Sequence, residues 1–125
     1  MTEKRLLVVD DQPELGEAVR HVAVEMGYDV LVMTHGKDFM QAFEVFQPTT
    51  VMVDIIMPDI DGIELVNWLY DRGCEAKVLV ASASHPEYAI LAKSIGDAKG
   101  LNITSIEKPF KTATLRAALR DTIPC

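Results

Sequence analysis

Short continuous apolar runs alternate along this chain with apolar residues at helical spacing. The run 6–9 is apolar throughout and ends at two aspartates, a pattern typical of a strand buried on both faces. From Pro13, apolar residues recur at intervals of three and four positions, which predicts a helix that ends near Gly27. The pattern therefore predicts a strand followed at once by a helix.

The same order of strand and helix is predicted four more times. The further predicted strands are 28–33, 51–53, 77–81 and 102–106. The helices that follow them end near Pro48 and Gly73 or begin near Pro86 and Thr112. Five such units predict a doubly wound α/β fold, in which helices cover both faces of a parallel sheet.

Asp11 and Glu14 predict how the first helix begins. An Asp followed three residues later by Glu is a capping pattern, and the intervening Pro13 suits a first helical turn. We therefore expect the Asp11 side chain to cap this helix.

Polar side chains stand where the predicted strands end. They are Asp10 and Asp11 after the first strand, Asp54 after the third, Ser82 after the fourth and Lys108 after the fifth. In a doubly wound sheet, ligands bind beyond the carboxyl ends of the strands, so we expect these side chains to converge. Neighbouring carboxylates need a cation to stay ionised together, and a set of oxygen ligands suits Mg²⁺.

The expected cluster matches the needs of phosphoryl transfer, which are positioning and charge stabilisation. Asp54 is the predicted nucleophile, and it would form an aspartyl phosphate. Asp11 and Asp54 would hold Mg²⁺, with Asp10 acting partly through water. Lys108 and Ser82 would each contact a phosphoryl oxygen. Each residue taken alone also has a structural interpretation: a helix cap for Asp11, a strand-end hydroxyl for Ser82, a surface charge for Lys108.

Composition narrows the classes of function. The 125 residues include 19 acidic and 12 basic side chains, for a net charge of −7, which argues against direct nucleic-acid binding. Two cysteines, Cys74 and Cys125, are too few for a disulfide scaffold or a zinc site. The sequence shows neither a signal-peptide core nor a membrane span. We expect one domain, 1–125, in the cytoplasm.

Four segments resemble the receiver domain of bacterial two-component response regulators, over essentially the whole chain. They are LLVVDDQPE, VMVDIIMPDIDGIEL, VLVASAS and IEKPF. The resemblance implies a flavodoxin-like fold with strand order 2-1-3-4-5. It also implies that a sensor histidine kinase or a histidine phosphotransfer protein donates a phosphoryl group to Asp54, with Mg²⁺ as cofactor.

The resemblance assigns further positions. The backbone carbonyl of Ile56 would complete the Mg²⁺ site, and the peptide bond between Lys108 and Pro109 is commonly cis in this family. The phosphate-loop and switch positions are Ala83, Ser84, Ser105 and Pro109. Such a domain catalyses its own phosphorylation and slow dephosphorylation, and it is not a conventional metabolic enzyme.

The resemblance also implies an output through protein contacts. The partner would be a downstream protein or a covalently attached output domain, and self-association would use helix four, strand five and helix five. The chain is similar to single-domain chemotaxis-type regulators. Its segment AKGLNITS also resembles receivers joined to cyclic-di-GMP phosphodiesterase domains.

One switch position departs from the family pattern. Ser105 stands three residues before Lys108, where family members usually carry Tyr or Phe. The usual coupling between hydroxyl and aromatic residue is then missing. We therefore expect the signal to leave through the loop after strand four and through helix four.

Two other functions are alternatives. Asp59-Ile60-Asp61-Gly62 resembles the nucleophile motif of haloacid-dehalogenase phosphatases, but it stands in a loop rather than at the end of a strand. The second alternative is an interaction module on the same fold that works without phosphorylation. Phosphoryl uptake that depends on Asp54 distinguishes a receiver from such a module.

Overall fold

The computed structural model describes residues 4–55, 62–82 and 86–120, which form five strands and five helices. The strands are β1 (Arg5–Val9), β2 (Asp29–Met33), β3 (Thr50–Asp54), β4 (Lys77–Ser82) and β5 (Ile103–Glu107). The helices are α1 (Pro13–Glu25), α2 (Gly36–Phe46), α3 (Gly62–Asp71), α4 (Pro86–Lys99) and α5 (Thr112–Arg120). The predicted alternation of strands and helices is confirmed, including the weakly patterned fifth strand.

All strand pairs are parallel, and the sheet order is β2-β1-β3-β4-β5, as the resemblance implied. The order reverses at β1, which pairs with β2 on one side and β3 on the other. Val9 is level with both Met33 and Val53, so Asp10 and Asp54 follow at neighbouring strand ends. The register of the sheet thus places the two acids side by side.

Two apolar layers enclose the sheet, because alternate residues of each strand face opposite sides. One layer packs the strands against α2, α3 and α4 and includes Val9, Val53 and Ile103. The other packs them against α1 and α5 and includes Val8 and Ile106. Both faces are buried over the central strands β1, β3 and β4, which explains why these strands carry continuous apolar runs rather than an alternating pattern.

The prediction that Asp11 caps α1 is wrong. The N-cap is Gln12, which makes no side-chain capping bond, and Pro13 is the first helical residue. A residue before proline is disfavoured in the helical region, and Gln12 is extended, with φ −100° and ψ 104°. The constraint from Pro13 therefore moves the cap one residue past Asp11.

The predicted end of α1 is confirmed. Gly27 follows the helix with a φ of 91°, a left-handed conformation that costs glycine no steric strain. Its N–H donates to the Val24 carbonyl at 3.0 Å, and the chain then turns into β2. The short connection keeps α1 packed beside β1 and β2.

Candidate functional site

Asp10 supplies the first buried carboxylate at the carboxyl end of the sheet. Its residue is 3% exposed, and its N–H donates to the Met33 carbonyl at 3.0 Å, which extends the β1–β2 ladder by one residue. Its Oδ1 accepts a hydrogen bond from the Gln12 N–H at 2.9 Å. These bonds fix the Asp10 carboxylate and leave Oδ2 for another partner.

Gln12 is a contributor that the sequence reasoning missed, since it acts through its backbone. Because it is the extended N-cap residue of α1, its N–H is not used inside the helix and instead donates to Asp10. Pro13 was the available signal, because it forces the preceding residue out of the helical region.

Asp54 supplies the second buried carboxylate, as the last residue of β3. The next residue, Ile55, donates its N–H to the Ala81 carbonyl at 2.9 Å, so β3 stays paired with β4 past its end. Asp11 is exposed beside these two acids. One carboxylate oxygen from each of Asp10, Asp11 and Asp54 lies within 4.8 Å of the others.

Lys108 brings a cation to these acids from the end of β5. Its N–H donates to the Ser82 carbonyl at 2.7 Å, and the peptide bond to Pro109 is cis, as the resemblance implied. The Lys108 ammonium lies 2.6 Å from Asp10 Oδ2 and 3.3 Å from Asp54 Oδ1. The ammonium therefore bridges two strand ends that are far apart in sequence.

Because this ion bridge is buried, removing any of its members would destabilise the fold. The side chains of Lys108, Asp10 and Asp54 are 11%, 5% and 8% exposed. Removing one partner of a buried ion pair leaves an uncompensated charge, which costs about 3–5 kcal/mol. With exposed Asp11 included, three carboxylates face one ammonium, for a formal charge of −2, so the site still attracts a cation.

The donor set of this cluster suits a hard divalent ion. Only carboxylate oxygens are present in the three-acid cluster, and Mg²⁺ prefers oxygen ligands while keeping positions for water and phosphate. Thiolate and imidazole, which suit zinc and other transition metals, do not belong to the cluster. The acidic cluster of Asp10, Asp11 and Asp54 could therefore hold a metal ion.

Ser82 and Ser105 occupy different environments. Ser82 ends β4 and is 3% exposed, next to the strand that carries Asp54 and bonded through its carbonyl to Lys108. Ser105 lies in the middle of β5 and is exposed. The structure thus brings Ser82 to the edge that carries the acids, and it leaves Ser105 on the surface.

Several predicted positions lie outside the described residues. They are the metal-ligand position Ile56, the loop positions Ala83 and Ser84, and Asp59, Ile60 and Asp61 of the phosphatase-like motif. Pro109 is described and exposed. The core of the described site is therefore Asp10, Asp11, Asp54 and Lys108, with Ser82 at its edge.

Among the described residues, no helix combines the length and apolarity needed to cross a membrane. Burial raises the pKa of the Cys74 thiol, which lies after α3. Its Sγ is 3.8 Å from the Ala76 carbonyl, at the opposite end of the sheet from the acids.

Comparison with known proteins agrees with this geometry. The family model described as response regulator receiver domain matches residues 6–120. Chemotaxis protein CheY of Thermotoga maritima is 27% identical over 117 residues, which cover 93% of this chain and 94% of that protein. Response regulator MprA of Mycolicibacterium vanbaalenii is 30% identical over 124 residues, which cover 96% of this chain and 52% of that protein. The chain thus spans nearly all of one relative and about half of the other.

Solved structures show the same fold. The signal receiver domain of a response regulator from Bermanella marisrubri superposes with a TM-score of 0.86 at 26% identity, covering 98% of this chain and 100% of that one. The receiver domain of a Luxo repressor protein from Vibrio parahaemolyticus gives a TM-score of 0.84 at 22% identity, covering 97% and 90%. The chain belongs to the family of response regulator receiver domains, the phosphoacceptor domains of two-component signalling systems.

Proposed function

We propose that Asp54 is the phosphoacceptor of this domain and that Lys108 stabilises the phosphoryl group. The Lys108 ammonium carries the proposal, since it lies between the carboxylates of Asp10 and Asp54 at 2.6 and 3.3 Å. A buried ammonium at hydrogen-bond distance from a nucleophile is placed to neutralise charge on an incoming phosphoryl oxygen. The whole of 1–125 is proposed as one receiver domain.

The donor is a phosphohistidine on a sensor histidine kinase or a histidine phosphotransfer protein. A carboxylate oxygen of Asp54 attacks phosphorus, and a P–O bond forms while the P–N bond breaks. The imidazole leaves with the electron pair of the broken bond and takes a proton from solvent. Lys108 donates to one phosphoryl oxygen and the Ser82 hydroxyl to another.

Mg²⁺ is the proposed cofactor, held by Asp10, Asp11, Asp54 and the backbone carbonyl of Ile56. When bound, it supplies positive charge that neutralises the phosphoryl oxygens. Support comes from the three carboxylate oxygens that lie within 4.8 Å of one another. The chain's own part is to hold Asp10 through Gln12 and to keep the site rigid.

Hydrolysis of the acyl phosphate resets the domain. Water attacks phosphorus, the bond to the Asp54 oxygen breaks, and inorganic phosphate leaves. The apolar side chain of Ile56 is proposed to hinder this water and to make dephosphorylation slow. The lifetime of the acyl phosphate then sets how long the domain stays phosphorylated, and the domain is not a metabolic enzyme.

The output is proposed to be a protein contact made in the cytoplasm. The chain matches the chemotaxis protein CheY over nearly its full length and the response regulator MprA over about half of its length. The proposed output partner is therefore either a separate downstream protein or an output domain attached beyond the receiver. The similarity of segment 98–105 to receivers joined to cyclic-di-GMP phosphodiesterase domains stays a prediction. Self-association through α4, β5 and α5 also stays a prediction. Ala83, Ser84, Ser105 and Pro109 are the proposed switch positions.

Incubation with acetyl phosphate and Mg²⁺, followed by intact-protein mass measurement, tests the phosphoacceptor. We expect one phosphoryl group per chain, complete loss of uptake in Asp54→Asn, and unchanged uptake in the control Asp71→Asn, at the end of α3. Uptake that persists in Asp54→Asn contradicts the assignment. A chain that takes up nothing, yet binds its partner equally with and without the reagents, is the phosphorylation-independent module.

Backbone NMR of the beryllofluoride complex tests which elements transmit the change at Asp54 to the surface of the domain. Because Ser105 is exposed and small, we expect the largest shifts beyond the site along α4 rather than at β5. An α4 face whose amide signals stay unchanged contradicts this route.

A further inference from the structure

A cavity of about 340 Å³ lies where α2 and α3 end, and we call it the α2–α3 pocket. Its lining includes Phe43, Glu44, Gln47, Arg72, Cys74 and Glu75. The pocket lies toward the amino ends of the strands, since β3 begins at Thr50 and β4 at Lys77, shortly after these residues. About 13 Å of strand separates Thr50 from Asp54, so the pocket is distinct from the acidic site.

The α2–α3 pocket has a surplus of negative charge. Its lining carries the carboxylates of Glu44 and Glu75 and one guanidinium, that of Arg72. Two helices end beside it, and the C-terminal end of a helix carries about half an elementary negative charge. The last turns of α2 and α3, both described, contain no basic residue that would offset this charge. The electrostatics therefore favour a cation as the occupant.

Glu75 is the carboxylate of the pocket that is available to a ligand. Glu44 Oε1 lies 3.7 Å from Arg72 Nε. The Glu75 side chain is exposed and, in the part of the chain that the structure describes, it has no hydrogen-bond or ion-pair partner. Its charge lies near the Cys74 thiol: burial raises the pKa of this thiol, the bond to the Ala76 carbonyl lowers it, and the Glu75 charge raises it further. An uncompensated carboxylate therefore lines the cavity.

Two arginines of the chain show which cation suits this corner of the fold. Arg5 Nε donates to the Phe46 carbonyl at the end of α2 at 2.7 Å, and its guanidinium lies 4.5 Å from the centre of the Phe46 ring. The Arg72 guanidinium lies 5.1 Å from the centre of the Trp68 ring. A planar guanidinium stacks on a ring and binds a carboxylate through its fork of donors, whereas an ammonium is a point charge. Phe43 provides a ring inside the pocket, beside the two carboxylates.

We propose that the α2–α3 pocket binds an arginine side chain of a protein partner. The guanidinium pairs with Glu75 and Glu44, and it stacks on the Phe43 ring. The net charge of −7 attracts a basic partner in general, and the pocket provides the local match. Because the pocket lies at the opposite end of β3 from Asp54, the partner binds equally well in both phosphorylation states. This contact is separate from the surface formed by α4, β5 and α5.

NMR titration of the unphosphorylated chain with N-acetyl-arginine N-methylamide tests the proposal, at about 0.01 M ionic strength, where surface charges are weakly screened. We expect saturable shifts of the amide signals of 72–76 and of the indole N–H of Trp68, the single tryptophan. The expected dissociation constant is on the order of 1–10 mM, because one side chain makes few contacts. The same arginine within the peptide Gly-Gly-Arg-Gly-Gly should bind at least as tightly.

Matched probes test the chemistry of recognition. The citrulline analogue keeps the shape of arginine without its charge, so we expect at least about fivefold weaker binding. The lysine analogue keeps the charge without the planar fork, so we expect binding about twofold or more weaker than that of arginine.

Two variants test whether binding occurs at the pocket. Glu75→Gln removes the unpaired carboxylate, so we expect about two- to fivefold weaker binding of the arginine probe. The control Asp29→Asn, at the start of β2, removes the same charge at the same end of the sheet and should bind like the wild type. Both positions are exposed, so circular dichroism should show that both variants are folded.

Several results overturn the proposal. They are shifts that do not saturate, a citrulline or lysine probe that binds as tightly as arginine, a peptide that fails to bind, and Glu75→Gln that binds like the wild type. Signals of 72–76 that move with the concentration of the chain alone also overturn it, because a second copy would then occupy the pocket. No phosphoryl donor is present, so none of these outcomes bears on the proposed chemistry at Asp54.

Discussion

The two ends of the parallel sheet differ in how their charged groups are arranged. At the carboxyl ends, three carboxylates and Lys108 meet, and Asp10 and Asp54 are buried. At the amino ends, Lys4 donates to the Met26 carbonyl at 3.1 Å and lies over the Tyr28 ring. Within the described ranges, no second cluster of three metal-ligating side chains exists.

The amino ends are also stabilised by uncharged side-chain contacts to the backbone, unlike the carboxyl ends. The Thr49 hydroxyl accepts from the Arg5 N–H at 3.0 Å and donates to the Arg5 carbonyl at 3.2 Å. Such neutral bonds stabilise the fold and have no charge left to offer a ligand. At the carboxyl ends the charges are not balanced, which lowers stability but provides binding chemistry. The amino ends therefore stabilise the fold, whereas the carboxyl ends carry the unbalanced charge of the candidate site.

Removing the cation from the carboxyl end has the largest expected effect on stability. Lys108→Met leaves two buried carboxylates without their ammonium, so we expect the free energy of unfolding to fall by about 3 kcal/mol in the absence of metal. Added Mg²⁺ should recover part of this loss, because it binds the folded state. Urea unfolding with EDTA or with Mg²⁺ measures both values.

The matched control for this prediction is Lys4→Met at the amino end. Its contacts are a carbonyl and an aromatic ring, so we expect a loss of at most about 1 kcal/mol that Mg²⁺ does not change. Equal losses in the two variants would remove the distinction between the two ends of the sheet.

A smaller effect is expected for Thr49→Ala at the amino end. The variant loses both hydrogen bonds to the Arg5 backbone, and we expect the free energy of unfolding to fall by about 1 kcal/mol. Phosphoryl uptake from acetyl phosphate should be unchanged, because the site lies at the other end of the strands. Slower uptake by a fully folded variant would show that the two ends are coupled.

The smallest effect concerns Cys74, also near the amino ends, and it changes a rate rather than stability. Only the thiolate reacts with iodoacetamide, and burial raises the pKa of this thiol. In a Cys125→Ser background, alkylation should therefore be slower than that of a free cysteine near pH 8 and should accelerate as the pH rises. Urea-unfolded protein is the control, and equal rates in folded and unfolded chains would contradict protection by burial.

The sequence predicted the sheet and the grouping of the candidate site residues at its carboxyl edge, because both follow from the order of the apolar runs and from the polar residues that end them. Apolar runs that end in aspartate locate β1 and β3, and parallel strands bring Asp10 and Asp54 to one edge. The cap on α1 was wrong, because the constraint from Pro13 outweighs the preference of Asp11 for a cap. The approach of Lys108 to Asp10 at 2.6 Å depends on tertiary packing, which no local pattern specifies.

The bond between Lys108 and Asp10 joins residues separated by 98 positions. A fragment that ends before β5 would carry all three carboxylates and no cation to hold them together. The candidate site is therefore completed only when the receiver fold has formed through β5. The candidate site therefore exists only in a domain whose last strand is already in the sheet.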